Sequence, residues 1–236
     1  MKDREAIVLA GGLGTRLREV LPDMPKCMAP VRGLPFLTYV LDYLGEQGIN
    51  KVILSVGYRK EQIISYFGDI YHNLEIEYAV ENEPLGTGGA VKLASSFCKQ
   101  DKVFVVNGDT YFIPELAEMG RLHQETAADI SIAVKYLPET SRYGLILAEA
   151  DNRINDFREK DPASLSGWIN GGIYLLNRKI FDAVPETKFS LENELFRTSC
   201  SKLRLIAFRT DAFFLDMGIP DDYARAQTLI GAPQTI

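Results

Sequence analysis

"AIVLAGGLGTRLREVLPDMPKCMAPV", residues 6–31, joins an apolar run to a cluster of glycines and then to isolated cations. The run at residues 6–10 is short, β-rich and continuous rather than alternating, the pattern of a strand covered on both faces. "KVILSV" (51–56), "IEYAV" (76–80) and "KVFVVN" (102–107) repeat that pattern. Between them, "PFLTYVLDYLGEQG" (35–48) has apolar residues at 36, 37, 40, 41 and 44, and it and "GTGGAVKLASSF" (86–97) carry helical spacing. Strand alternating with helix predicts an α/β fold, a doubly wound and mostly parallel sheet whose ligands bind beyond the carboxyl ends of the strands. Functional residues should therefore follow strands.

The second half is richer in strands: "DISIAVKY" (129–136), "YGLILAEA" (143–150), "RINDFREK" (153–160), "GGIYLLN" (171–177) and "LRLIAF" (203–208). It reads as a mixed extension of the same sheet. No linker, repeat or low-complexity segment interrupts the chain, so one domain over residues 1–236 is expected. An N-terminal nucleotide half is expected to run to about residue 125, with a C-terminal substrate half after it.

With 236 residues, 46% of them hydrophobic, the chain can bury a sizeable core. Its formal net charge of -6 offers no basic field for a nucleic-acid backbone. Cys27, Cys98 and Cys200 are odd in number and far apart, against both a disulfide framework and a zinc site, and point to a reducing cytoplasm. No run approaches the ~20 apolar residues of a membrane span, and residues 6–10 are too few for the core of a signal peptide. A soluble protein without membrane partners is expected.

Glycines directly after a strand let backbone N–H groups turn toward an anion. The dinucleotide fingerprint G-x-G-x-x-G fits only in part, because Leu17 stands where its third glycine belongs. The P-loop pattern fails as well, since no Gly-Lys-Ser/Thr follows. What remains is a glycine loop with Arg16 and, ten residues on, Lys26 behind Pro25. Two cations converging on one anion suit a triphosphate. A glycine pair alone is more often a tight turn beside a solvated arginine.

The stretch around it, "LAGGLGTRLREVLPDMPKCMAPVRGLPFLTYVL", resembles the sugar-1-phosphate nucleotidylyltransferases, whose signature reads G-G-x-G-T-R-L…P-K-x-M-x-P-V-x-G-x-P. "EPLGTGGAV" (83–91), "VNGDTYF" (106–112), "RYGLI" (142–146), "EK" (159–160), "INGGIYLL" (169–176) and "FLDMGIPDDYARA" (214–226) follow in the family's order. The resemblance implies the nucleotide-diphospho-sugar transferase fold, which is Rossmann-like. It also implies a reaction in which an oxygen of a sugar 1-phosphate attacks the α-phosphorus of a nucleoside triphosphate and pyrophosphate departs. The nucleophile is already anionic, so cations and a metal suffice and no protein nucleophile is required.

The resemblance places the nucleotide against Leu9, Ala10, Gly11, Gly12, Gly14 and Thr15, with Gly86 and Thr87 beyond. It puts Arg16 on the leaving phosphates and Lys26 near the reacting phosphorus. Asp109 ends a buried strand and Asp216 sits in the apolar run "FFLDMG"; two such carboxylates suit one Mg²⁺, and the resemblance assigns the same pair. Taken singly, each aspartate reads equally as a cap or turn residue. On the sugar-phosphate side the resemblance implies Asn107, Tyr143, Gly144, Asn170 and Gly171. It adds Lys160 as the grip on the phosphate, and Glu159 as its orienter or a partner of sugar hydroxyls. His72 and His123 lie outside every motif and read as surface or helix residues.

Glu81 falls where the resemblance places a base-reading side chain. Guanine presents two adjacent N–H donors that match a carboxylate, whereas uracil and thymine flank one N–H with carbonyls and favour an amide. Glutamate therefore favours GTP, the competing role being a cap on the helix near Gly86, supplied by Glu81 or Glu83. Among guanine users, "PLGTGGA", "INGGIYLL" and the short ending after "IPDDYARAQ" look most like the heptose 1-phosphate guanylyltransferases, with the mannose 1-phosphate enzymes close behind. The extra C-terminal domain of longer relatives is not expected. A non-catalytic nucleotide-sugar sensor should have lost the cations and carboxylates that this chain keeps. A glycosyltransferase should carry Asp-x-Asp, which "NGDTY" is not. Oligomerisation is left open.

Overall fold

The computed structural model describes residues 4–12, 23–158 and 166–231. Four strands, β1 (Glu5–Leu9), β4 (Lys51–Val56), β6 (Leu74–Val80) and β7 (Lys102–Asn107), run parallel in the order β7-β1-β4-β6. The chain steps outward from β1 through β4 to β6, then crosses back to lay β7 on the other side of β1. Strand order therefore reverses between β1 and β7, and the loops that leave their carboxyl ends diverge to open a crevice.

Successive residues of each central strand enter opposite cores. Ala6 and Val8 face one side with Val52, Leu54 and Val56, while Ile7, Ile53, Val103 and Val105 face the other. Helices α1 (Phe36–Glu46) and α2 (Lys60–Phe67) cover the first face through Phe36, Leu37, Val40, Leu41, Leu44, Ile63 and Phe67. Helix α3 (Gly86–Ser95) covers the second through Val91 and Ala94. Ile53 is fully buried, and truncating it to alanine would cost about 2–5 kcal/mol.

The expectation of a strand covered on both faces holds for β1, β4 and most of β7 but not for β6. There Glu75 is exposed and Glu77 only half-buried, with its carboxylate 3.0 Å from Lys51 Nζ. Among the described residues only the two-residue strand β5 (Ile70–Tyr71) lies outside β6.

The second half extends the sheet in antiparallel fashion. Strand β12 (Gly167–Asn177) is longer than its apolar motif suggests; it pairs antiparallel with β7 and with β9 (Ile130–Leu137), and β13 (Leu205–Thr210) runs parallel to β9. The expected strand at 143–150 shortens to β10 (Leu145–Ala148), and the described part of 153–160 forms β11 (Ile154–Arg158). Ten strands form this sheet among the described residues.

Elements without a counterpart in the periodicity reading include α2, helix α4 (Leu116–Glu125), the pair β8 (Thr110–Phe112) with β14 (Phe214–Asp216), and the C-terminal helix Pro220–Leu229. The pair is short and apart in sequence, and so leaves little period to read. A two-residue hairpin, β2 (Pro30–Val31) with β3 (Leu34–Pro35), leads into α1. A π-helical turn at Leu191–Phe196 leads into the single-turn helix α5 (Arg197–Ser199), so the C-terminal helix is α6. All three cysteines are free thiols, and no described helix is long and apolar enough to cross a membrane.

Candidate active site

The crevice between β1 and β7 is a cleft of about 660 Å³ lined by Leu9, Ala10, Gly11, Gly12, Lys26, Glu81, Gly86, Thr87, Asn107 and Asp109, with Tyr58 and Asn82 at its wall. Residues from positions 9 to 109 thus meet in one place. The β1 strand hands over to the glycines while still paired, Ala10 N–H donating to Ser55 O at 2.9 Å and Gly108 N–H to Leu9 O at 2.9 Å. Gly14, Thr15 and Arg16, and likewise Glu159 and Lys160, lie outside the described residues.

Lys26 opens a single 3-10 turn, Lys26–Met28, behind Pro25, and its ammonium reaches across to β7. Nζ stands 2.7 Å from Asp109 Oδ2 and 3.8 Å from Asp216 Oδ1. The β8–β14 pair creates that convergence. It sets Asp216 opposite Thr110, and Met217 N–H donates to Asp109 O at 3.2 Å. Burial pushes the Asp216 carboxyl above its ordinary range; Lys26 opposes the shift and Asp109 adds to it. An unrelieved negative charge at this floor is therefore costly, and a cation between the two carboxylates relieves it. The ammonium already occupies such a position, so the donor set fits a hard divalent ion. No group of three or more His, Cys, Asp or Glu residues suited to a metal occurs among the described residues. Oxygen ligands beyond these two would come from phosphate and water. Cys27 offers no competing chemistry, since burial, with a smaller push from Asp109, raises its thiol to about 12.

Glu81 leaves β6 with its N–H on Val56 O, and its carboxylate bridges two elements. Oε1 accepts from Ser55 Oγ at 3.0 Å and Oε2 from Leu85 N–H at 3.1 Å. The capping role weighed against base reading is thus present in Glu81 itself. Each carboxylate oxygen keeps a second lone pair, so the two roles are compatible. Gly11 lies so close that a β-carbon there would sit 2.7 Å from Oε1, so a larger residue would have to displace the Glu81 carboxylate.

Gly86 and Thr87 form the first turn of α3, but the Thr87 hydroxyl is engaged elsewhere. It donates to Glu192 Oε2 at 2.7 Å and accepts from Leu191 N–H at 2.9 Å.

Across Asp109 lie residues of the second half. In β12 the pairing register with β9 shifts between Asn170 and Tyr174. Gly172 sits at φ +76° in this bulge, a left-handed conformation, and a β-carbon there would strike the Asn107 amide at 2.6 Å. Asn107 thereby packs against the bulge that carries Asn170 and Gly171. Tyr143 stacks edge-on against Phe214 at 6.0 Å, with Asp216 contributing to the upward push on its hydroxyl after burial. Gly144 follows it, tight against Arg158 O.

Periodicity and motif reading missed Arg142 and Asp222. Buried Asp222, in the first turn of α6, pairs with Arg142 and with Arg225, and so ties the loop of Tyr143 to the helix after Asp216. Their signal was adjacency to motif residues, Arg142 within "RYGLI" and Asp222 within "IPDDYARA". His123, expected at the surface or in a helix, is helical but buried. His72 is exposed.

Residues 5–232 match the model of the nucleotidyl transferase family. The chain belongs to this family. Relatives within it include the D-glycero-alpha-D-manno-heptose 1-phosphate guanylyltransferase of Aneurinibacillus thermoaerophilus, 45% identical over 224 residues that cover 94% of this chain and 96% of the relative. The enzyme of the same name from Campylobacter jejuni is 42% identical over 220 residues, covering 93% and 96%. The crystal structure of HddC from Yersinia pseudotuberculosis complexed with GMP-PN superposes with a TM-score of 0.84 and 37% identity, covering 95% of this chain and 98% of that one. The sheet is that of the nucleotide-diphospho-sugar transferases within this nucleotidyl transferase family.

Proposed function

We propose that the chain transfers GMP from GTP to D-glycero-α-D-manno-heptose 1-phosphate, giving a GDP-sugar and pyrophosphate. The observation that carries this reading is the convergence of Lys26, Asp109 and Asp216 at the floor of a glycine-lined cleft. The guanine and heptose assignments are supported by the near full-length likeness to guanylyltransferases acting on that sugar phosphate, and the guanine one also by a GMP-PN-bound neighbour.

The backbone at Leu9–Gly12 and the first turn of α3, with Gly86 and Thr87, hold the nucleotide. Gly14 and Thr15 add to the nucleotide contacts, and Arg16 draws charge from the departing pyrophosphate. Lys26 leaves the carboxylates to meet the α-phosphate, where charge accumulates as the new P–O bond forms and the old one breaks. Asn107, Tyr143, Gly144, Asn170 and Gly171 orient the sugar, with Glu159 and Lys160 at its phosphate. Asp109 and Asp216 would hold Mg²⁺, which would supply positive charge against the phosphates. Neither proton abstraction by a histidine nor a covalent enzyme intermediate enters, because the attacking phosphate oxygen is already an anion. A cytoplasmic setting, where GTP is abundant, suits this chemistry.

Pyrophosphate release with Mg²⁺, crossing GTP, ATP, CTP, UTP and dTTP with heptose, mannose and glucose 1-phosphates, tests the assignment. GTP with the heptose phosphate should turn over fastest; no turnover with any pair would overturn it. Glu81→Gln should lower kcat/KM for GTP by about tenfold or more, since losing a charge-assisted hydrogen bond costs about 1.5–3 kcal/mol. An unchanged GTP preference would remove Glu81 from base reading.

A further inference from the structure

Beneath the cleft a single carboxylate gathers three hydroxyls. Glu192, in the π-helical turn, accepts from Tyr174 OH at 2.9 Å on Oε1, and from Thr87 Oγ1 at 2.7 Å and Ser190 Oγ at 3.2 Å on Oε2. Tyr174 is fully buried in β12 and receives Asn170 Nδ2–H at 2.9 Å. Asn170 Oδ1 in turn accepts Gly172 N–H at 2.9 Å, across the bulge.

An ionised carboxylate only accepts, so every hydroxyl that meets it must donate. The Tyr174 proton is thereby committed to Glu192, and its lone pairs alone are left for Asn170. Burial, and next the Glu192 charge, push the phenol well above its ordinary range, so that it keeps its proton. Asn170 must then turn its NH₂ toward Tyr174 and its oxygen toward Gly172. Flipping the amide would set its oxygen against nothing better than a committed hydroxyl and face its NH₂ with another N–H. One N–H and one oxygen lone pair of Asn170 remain, in fixed positions, for a hydroxyl of a ligand.

We infer that Glu192 is a positioning residue for the sugar phosphate, acting through Tyr174 to hold the Asn170 amide in one orientation. The inference rests on the reading that Asn170 faces the sugar. Tyr174 relays the orientation, and the contact with Thr87 anchors the carboxylate to the start of α3.

The test is a set of steady-state measurements with GTP and the sugar 1-phosphate varied in turn, on Asn170→Ala, Tyr174→Phe, Glu192→Gln and the two double variants that include Asn170→Ala. Asn170→Ala should raise KM for the sugar phosphate about tenfold, the cost of one to two hydrogen bonds. Tyr174→Phe and Glu192→Gln should each raise it about three- to tenfold, leave KM for GTP within about twofold, and add nothing further in the Asn170→Ala background. Effects that add to that of Asn170→Ala, or an unchanged sugar-phosphate KM in Tyr174→Phe and Glu192→Gln while Asn170→Ala raises it, would overturn the positioning role and leave the sugar pocket standing. An unchanged KM in Asn170→Ala would instead remove the sugar pocket and the inference with it. Tyr174→Phe deletes one oxygen only, so it decides the matter should Glu192→Gln fail to fold.

Discussion

Asp216 carries the opposition between stability and chemistry most plainly. Its carboxyl is held above the ordinary range by burial, with Asp109 adding to the shift. The folded state therefore binds the proton more readily than the unfolded chain does. Ionised Asp216 subtracts from stability, a cost that grows as pH rises from its ordinary value near 3.8 and is complete above the folded-state pKa. Asp216→Asn should then melt higher than the parent chain in EDTA, by about 1 kcal/mol, while losing most turnover. Differential scanning fluorimetry beside the pyrophosphate assay checks both halves; a lower melting point would show that Lys26 outweighs burial. Lys26 and Asp109 were legible in the sequence as a cation behind a proline and a carboxylate after a buried strand. Their 2.7 Å contact was not, since nothing in local spacing measures a distance between residues 83 apart.

Helix α3 depends on glycine for contact with the loop before the π-helical turn. Gly88 N–H donates to Phe189 O at 2.9 Å and Phe189 N–H to Leu85 O at 3.0 Å. A β-carbon at Gly88 would stand 2.2 Å from the Phe189 ring, which is itself buried. Gly88→Ala should destabilise by about 1–3 kcal/mol, as overpacking does. Gly120→Ala in α4, where a β-carbon meets nothing within 4 Å, should stabilise by about 0.5–1 kcal/mol. Urea denaturation of both variants separates the effects. The resemblance places Gly86 and Thr87 of "GTGG" at the nucleotide, yet Gly88 of the same run serves this internal contact. α4 was invisible to the periodicity reading because of its composition: Leu116, Met119 and His123 are its only buried residues, on one narrow stripe.

The ends of α4, β9 and β12 meet at His123, and its titration reports on the whole molecule. The ring contacts Ser131 Oγ at 2.9 Å and Asn177 Oδ1 at 3.3 Å, with Lys102 and Asp129 nearby. Burial holds its pKa below 6.5, against the Asn177 hydrogen bond. The unfolded chain then binds one more proton below pH 6.5, so the contribution of His123 is complete above that value and declines as pH falls toward the folded pKa. Unfolding free energies measured between pH 7.5 and 5 should fall with a His123-dependent slope of no more than about 1.4 kcal/mol per pH unit, and His123→Gln should remove that component. An identical profile in the variant would sink the assignment.

The alternation of apolar runs and amphipathic helices in the sequence was sufficient to mark the strands of the parallel half, because that periodicity is local and β1, β4 and most of β7 are covered on both faces. The glycines after β1 and the carboxylate after β7 were legible for the same reason: strand ends are marked by where an apolar run stops. Tertiary structure alone decided that β7 returns beside β1, that β14 pairs with β8, and that Glu192 reaches Tyr174. Those are pairings between distant segments, chosen by which surfaces and hydrogen-bonding groups bury one another best, and no window of consecutive residues contains both partners.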